Sequence, residues 1–323
     1  MMKPKYSVIV PLYNKAPYVL KALDSIVSQT LTDWECIIVD DGSTDNSAAI
    51  CEDFINSLTP SLINSLRLIR QPNSGVAAAR NNGVTKSKGE LVCFLDADDW
   101  WEPTFLEEMS RLIDAYPDAG LYGCDYYYVK NGKMKIYPKN AEGYIDYCKV
   151  YTDCKAMPIH PNGAIIPRNV FDEIGGFNPS IKMGEDFILF MQIVLKYKVA
   201  FLNKQLVYFN QDADPKWRAI TKLHKPEHHM LWYVSHWEEI ERTNAAYKAM
   251  IDMLRVKSLL PYWLSNEHHD AAVAELKKVD WSMQSRKAKT QYEKPIWLLK
   301  IQRITMHFGS YFKQKLIKLI VKR

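Results

Sequence analysis

Carboxylates gather in three short stretches of this 323-residue sequence: Asp40-Asp41-Gly42-Ser43-Thr44-Asp45, Asp96-Ala97-Asp98-Asp99 and Glu185-Asp186. Three acids within four residues raise one another's pKa unless a cation or hydrogen-bond donors compensate. A hard divalent ion, Mn²⁺ or Mg²⁺, resolves the repulsion. It prefers carboxylate, water and phosphate oxygens, and it can join a protein to a diphosphate while neutralising the charge that builds on such a leaving group. A single Asp before Pro103 would be read as a cap for the helix that opens there. The second acidic stretch, at Asp40-Asp41, turns the balance toward a site, because an Asx turn and helix cap account for Ser43 or Asp45 but do not require two preceding acids.

The elements that must position these groups alternate along the first hundred residues. Tyr6 to Pro11, Trp34 to Asp41, Leu66 to Gln71 and Leu91 to Asp96 are nearly continuous apolar runs, which suit parallel strands buried on both faces, with helical crossovers between them. Pro17 sits at the first turn of a helix expected to run to about Gln29, Ser43-Thr44-Asp45 caps another, and Pro103 opens one to about Tyr116. Past Ala119 the pattern changes. Asn131-Gly132 between Tyr126-Tyr127-Tyr128 and Met134-Lys135-Ile136 predicts an antiparallel hairpin, so the sheet becomes mixed. A helix is expected from Gly184 to about Tyr197, then two short strands, Val199 to Asn203 and Leu206 to Asn210, and mostly helices from Pro226 onward. The fold class is therefore α/β, a Rossmann-like, mostly parallel sheet with flanking helices over residues 1–215, followed by a mostly helical region over 216–323.

In open parallel sheets ligands bind beyond the carboxyl ends of the strands. Strand one ends in Pro11-Leu12-Tyr13-Asn14, strand two in Asp40-Asp41 and strand four in Asp96-Ala97-Asp98-Asp99, so an aromatic residue and several acids share one edge, as a nucleotide site requires. Arg80, the lone cation of the small-residue helix Val76 to Gly83, can either reach phosphate or hold an acidic loop. His160, beside Pro161-Asn162-Gly163, is a candidate at the border of a second substrate, with loop structure as its other role. The histidines at 224, 228, 229, 236, 268 and 269 match no metal-ligand spacing.

Composition narrows the class. Nearly half the residues are apolar and about a quarter charged, with no low-complexity tract, which describes a folded globular chain. Six scattered cysteines include no Cys-x-x-Cys pair, so zinc-ribbon and thioredoxin-like readings lack support and a reduced cytosol is expected. The first residues leave no room for the apolar core of a signal peptide, and no uncharged run approaches the ~20 residues of a spanning helix. The net charge of +5 hides an asymmetry: residues 282–323 hold eleven Lys or Arg against the single acid Glu293, a local +10, which leaves the remainder at −5. In that segment Ile301, Ile304, Phe308, Phe312, Leu316, Leu319 and Ile320 recur at helical spacing, interrupted by Gly309. Such a helix, over residues 284–323, can lie on an anionic membrane surface or dock on the catalytic domain.

The text SVIVPLYN, IIVDDGSTD, NSGVAAARNNG, GELVCFLDADD, GGFNPS and GED, in that order, resembles family 2 glycosyltransferases with the GT-A fold over roughly residues 5–212. The resemblance implies an inverting, hexosyltransferase-type enzyme of bacterial polysaccharide assembly. Its substrates would be a nucleotide-sugar donor, most commonly a UDP-sugar, and a saccharide or lipid-linked saccharide acceptor. It implies that Tyr13 and Asp41 contact the donor base, with Pro11 shaping the pocket and Arg80 on the donor side. Asp96 and Asp98 resemble the Asp-x-Asp motif, with Asp98 most directly on the metal and Asp96 beside metal and donor. The Glu-Asp pair places the base at Asp186, whose alternative role is helix capping, and leaves Glu185 to orient the acceptor or the loop. One base suffices for direct displacement with inversion, because the departing diphosphate has its metal, in contrast to the paired carboxylates of glycoside hydrolysis.

Departures from the family's patterns and from rival ones set limits. The Gln-x-x-Arg-Trp motif of processive synthases is absent, and the match around Asn210-Gln211-Asp212 and Arg218, where relatives close a loop over the donor, is loose. No Gly-x-Gly-x-x-Gly follows strand one and no Gly-x-x-x-x-Gly-Lys-Ser/Thr occurs, which removes dehydrogenase and P-loop kinase readings. The Gly-rich, basic first loop of a nucleotidyltransferase is missing too. The remaining rival, a sugar-nucleotide-binding, nucleic-acid or membrane-associated scaffold using the basic tail, leaves the carboxylate set without a purpose, and no nucleic-acid partner is expected. The expected location is the cytoplasm, at the inner face of the cell membrane if the tail binds lipid.

Overall fold

The apolar runs form β1 (Tyr6–Leu12), β2 (Trp34–Asp40), β3 (Leu66–Arg70) and β4 (Leu91–Phe94), as their composition predicts. The computed structural model describes residues 3–213 and 223–299. Arg218 and the apolar series from Ile301 to Ile320 lie outside the described residues. Every residue of β2 and β4 is buried, and β1 is buried apart from Pro11, which is why these strands show no alternation. They pair in parallel in the order β3-β2-β1-β4, with Leu12 opposite Asp40 and Ile9 opposite Phe94.

The rest of the sheet comprises β5 (Trp100–Trp101), β6 (Ala119–Lys130), β7 (Lys133–Lys135), β8 (Gly143–Ile145), β9 (Ala164–Pro167) and β10 (Lys198–Asn210). β9 joins β4 and β6 antiparallel, β6 and β10 run parallel, and β5 closes the path antiparallel to β10. The sheet is therefore mixed. The β6–β7 hairpin turns at Asn131-Gly132, where φ values of 51° and 69° are the left-handed geometry that this dipeptide accepts readily. The two short strands expected between Val199 and Asn210 are one strand, because β10 absorbs its polar middle, Asn203-Lys204-Gln205, in register shifts against β6.

Helices cover the sheet: α1 (Val19–Val27), α2 (Ser47–Ser57), α3 (Pro60–Ile63), α4 (Val76–Lys86), α5 (Phe105–Ala115), α6 (Tyr147–Cys154), α7 (Arg168–Ile174), α8 (Glu185–Val194) and α9 (Met230–Val234). In α1 the buried residues Val19, Ala22, Leu23 and Ile26 repeat at helical spacing. It starts two residues after Pro17, since the Tyr18 and Val19 N–H groups both close a turn on the Lys15 carbonyl. α4 lies so close to the sheet that a Cβ on Gly83 would collide with the Ile9 side chain. All six cysteines are free and five are buried, as a reduced core allows.

Two compact units divide between Val234 and Ser235. The segment Pro226 to Val234, which a boundary near 215 would assign to the second part, belongs to the first. Lys182 N–H donates to His228 O, and Met230 N–H to Met183 O. The second unit holds α10 (Glu238–Thr243), α11 (Ala245–Ser258), α12 (Leu260–Trp263), α13 (His269–Leu276) and α14 (Arg286–Glu293). At its centre buried Arg255 bridges Glu241, Asp252 and Glu275. Among the described residues no helix is long and apolar enough to cross a membrane, and no group of three His, Cys, Asp or Glu side chains is arranged to hold a metal.

Candidate active site

The carboxyl ends of β1, β2 and β4 open on a cavity of ≈ 690 Å³ whose wall includes Pro11, Tyr13, Asp41, Arg80, Asp96, Asp98 and Glu185. Seven of the nine residues singled out from the sequence therefore meet in one place. Asp186 follows Glu185 in the first turn of α8, and His160 stands behind Asp96 between the Tyr126 and Phe209 rings.

The loop after β1 is held against the loop after β2. Asn14, at φ 52°, receives the Thr44 and Asp45 N–H groups on its Oδ1 and donates its own N–H to Ser43 Oγ. Ser43 is thus a tie to the first loop. Asp45 takes the Ser47 N–H and hydroxyl at the start of α2. Asp41 accepts from Gln71 Nε2 and Ser74 N–H on Oδ1 and from Gly75 N–H on Oδ2, so it also anchors the start of α4. Gln71 is oriented in turn by Asn82 Nδ2 at 2.7 Å.

Arg80 projects from α4 into the acidic groups. Its Nη2 lies 2.7 Å from Asp96 Oδ1 and its Nη1 3.0 Å from Glu185 Oε1. Of the two roles open to it from sequence, holding an acidic loop is the one this geometry shows. Burial alone would raise the Asp96 carboxyl, but the Arg80 charge and hydrogen bond outweigh it and keep that group below the usual carboxylate range. Burial would also lower Arg80, and Asp96 and Glu185 together raise it instead.

Among the described residues Asp186 forms no such ion pair. Burial pushes its carboxyl up to about 7, Glu185 adds to the rise, and Arg80 opposes it. Its Oδ1 accepts from the Phe187 N–H. The cap position of α8 belongs to Gly184, at φ 82°, where a Cβ would also collide with Met230. Burial lowers His160 to about 4, against the attraction of Asp96, so the ring is neutral at physiological pH and its Nδ1 accepts the Asn162 N–H at 3.4 Å.

Two partners of the acidic loop escape sequence reading. Lys15 Nζ pairs with Asp98 Oδ2 at 2.5 Å, and buried Asn162 receives the Asp96 N–H on its Oδ1 at 3.0 Å. Tyr128 and Phe209, from β6 and β10, also line the cavity, and nothing in the sequence marks them as facing a ligand; Gln211, just past β10, lines it too, in the stretch where the family match is loose. Asp99, by contrast, turns away from the cavity into the protein, and burial, then Asp98 and Asp96, raise its carboxyl well above the ordinary value.

The donor set suits a shared cation rather than a caged one. Asp98 and the second oxygen of Asp96 are what the chain offers, which fits the habit of Mg²⁺ and Mn²⁺ of binding through one or two carboxylates plus substrate phosphates.

The glycosyl transferase family 2 profile matches residues 7–175. Glycosyltransferase GlyA of Streptococcus pneumoniae serotype 4 is 32% identical over 220 residues, which cover 64% of this chain and 30% of GlyA. The chain thus spans about a third of that relative's length. The structure of S. aureus TarS 1–349 in complex with UDP-GlcNAc superposes with a TM-score of 0.60 at 21% identity, over 85% of this chain and 72% of that one. Mannosyltransferase PcManGT from Pyrobaculum calidifontis, in complex with GDP-Man and Mn²⁺, gives 0.57 at 21% identity over 97% and 84%. These likenesses agree with a GT-A fold, and the profile match, which covers more than half of the sequence, decides the family: this chain belongs to glycosyl transferase family 2.

Proposed function

We propose that this chain transfers one sugar from a nucleotide-diphosphate sugar to an acceptor hydroxyl, with inversion at the anomeric carbon. The observation that carries the reading is the single cavity into which an aromatic residue, Tyr13, and the acids Asp41, Asp96, Asp98 and Glu185 all project. Tyr13, Pro11 and Asp41 form the side for the base, and Asp41 Oδ2, with one backbone donor, keeps acceptor capacity for it. Asp98, with Asp96, would hold Mn²⁺ or Mg²⁺. When bound, the cation would neutralise charge on the departing diphosphate.

The chain's own part in the step is proton removal and orientation. Asp186 takes the acceptor hydroxyl proton as that oxygen bonds to the anomeric carbon. The bond from this carbon to the diphosphate oxygen breaks, and its electron pair leaves with the diphosphate. A carboxyl raised to about 7 is matched to accept a proton near neutral pH. Arg80 keeps Glu185, and with it the start of α8, beside the donor acids.

A UDP-sugar is the donor the family favours, and TarS was solved with UDP-GlcNAc. The acceptor is a saccharide or lipid-linked saccharide of envelope or capsular polysaccharide, used at the inner face of the membrane. Residues 284–323 supply basic contact with anionic lipid. A panel of nucleotide sugars assayed for metal-dependent release of nucleoside diphosphate tests the proposal. Turnover of at least one donor supports it, and inertness toward all of them with both cations and a mixed acceptor pool contradicts it.

A further inference from the structure

Asn162 lies in the 3-10 turn Pro161–Gly163 and has no exposed surface. Its side chain faces the acidic turn Asp96-Ala97-Asp98-Asp99, which is closed by Asp99 N–H donating to Asp96 O at 3.0 Å. One amide meets both ends of that turn: Asn162 Oδ1 accepts the Asp96 N–H at 3.0 Å, and Asn162 Nδ2 donates to Asp99 Oδ2. Its backbone carbonyl takes the Trp101 indole N–H at 2.6 Å, just beyond the turn. The other Asp99 oxygen accepts the Asn210 N–H at 2.6 Å, where β10 ends. Of the turn, Asp96, Ala97 and Asp98 line the cavity and Asp99 does not.

We infer that Asn162 and Asp99 are positioning residues: one buried amide clasps the acid-bearing turn at both ends, so that Asp98 stays aimed at the donor, and Asp99 extends the clasp to the end of β10. The inference rests on the donor-binding reading of the cavity. Its physical basis is the asymmetry of the amide, which presents an acceptor to one end of the turn and a donor to the other. Asn162→Ala removes both and strands the Asp96 N–H and a buried Asp99 carboxyl oxygen. Asn162→Asp keeps the acceptor for Asp96 N–H but sets a second carboxyl against Asp99. Asp99→Asn makes the opposite error, with two amide groups competing to donate. The double variant Asn162→Asp/Asp99→Asn reverses the central hydrogen bond while preserving every other one: position 99 donates to position 162, position 162 still accepts from Asp96 N–H, and position 99 still accepts from Asn210 N–H.

The test titrates UDP and GDP, each with and without Mn²⁺, into wild type and the four variants by calorimetry, beside thermal melts of each. The single variants should melt cooperatively yet lose about 10- to 100-fold in Mn²⁺-dependent nucleotide affinity, the usual scale for residues that orient metal ligands. The double variant should regain most of it. Single variants that bind like wild type overturn the clasp, as does a double variant that recovers its melt without its affinity, or a loss that tracks the unfolded fraction. A wild type that binds neither nucleotide sinks the donor-site reading and this inference with it. Binding by wild type with unaffected variants sinks the clasp alone.

Discussion

Arg80 Nη1 lies 3.0 Å from Glu185 Oε1, so the residue preceding the proposed base is tied to α4. The same guanidinium holds Asp96 at 2.7 Å, and one buried cation thereby spans the donor acids and the start of α8. Removing it leaves the two carboxylates without their shared cation. Arg80→Met is predicted to lower unfolding free energy by about 3–5 kcal/mol, the range for stripping a buried ion pair of one partner. Arg80→Lys should fall between, because an ammonium lacks the rigid fork that reaches both acids. Urea melts check this, and a loss in Arg80→Met below about 1 kcal/mol, the scale of a surface pair, would contradict it.

The raised carboxyl of Asp186 gives two linked pH dependences. As the proposed base, Asp186 must be ionised, so kcat should rise about tenfold per unit up to about pH 7 and then level. For stability the sign is opposite. The folded state binds this proton more tightly than the unfolded chain, so the ionised group opposes folding above the ordinary carboxyl range. Asp186→Asn should therefore raise Tm at pH 8, and the gain should vanish as pH falls below about 4, where both states are protonated. A variant less stable than wild type at pH 8 would refute the shift.

Lys15 Nζ lies 2.5 Å from the Asp98 oxygen that the proposed divalent cation would need, with both side chains mostly buried. Lys15→Met should tighten Mn²⁺ binding in the absence of nucleotide by about tenfold, or about 1.4 kcal/mol. Asp98→Ala should abolish it. Asp96→Ala should be milder toward the metal, though it also strips Arg80 of a partner. Calorimetric Mn²⁺ titrations decide, and weaker binding by Lys15→Met would show that the ammonium does not block the ion.

The basic tail carries its own expectation. Met283 and Trp297, 73% and 64% exposed, stand on either side of α14 in the described part of the second unit. Each basic residue near anionic lipid contributes about 1 kcal/mol. Full-length protein should float with anionic vesicles at low salt and be released at high salt. Equal flotation of full-length and 1–283 protein would remove the membrane contact.

Much of this arrangement is readable from local pattern. β1, β2 and β4 announce themselves as apolar runs that end in chemistry-bearing residues, and Asn131-Gly132 marks its own turn. What escapes is set by contacts distant in sequence. Lys15 meets Asp98 across 83 residues, and Asn162 meets Asp99 across 63, so neither spacing carries a signal. The direction of Asp99 follows from Asn162 and Asn210 and not from the motif, which presents it as a third equivalent acid. β10 looks like two strands because Asn203-Lys204-Gln205 is polar, and only pairing with β6 shows that shifts in register accommodate it. The start of α1 is similar: Pro17 suits a first helical turn, yet the Lys15 carbonyl closes a separate turn before it.

The most direct measurement compares wild type with Asp186→Asn on the nucleotide-sugar panel, recording turnover and, by calorimetry, donor affinity in Mn²⁺. The account predicts metal-dependent turnover by wild type, and in the variant near-normal donor affinity with turnover reduced about 10²- to 10⁴-fold, the scale of a lost general base. Near-normal turnover by Asp186→Asn, or a product with retained anomeric configuration, would contradict it.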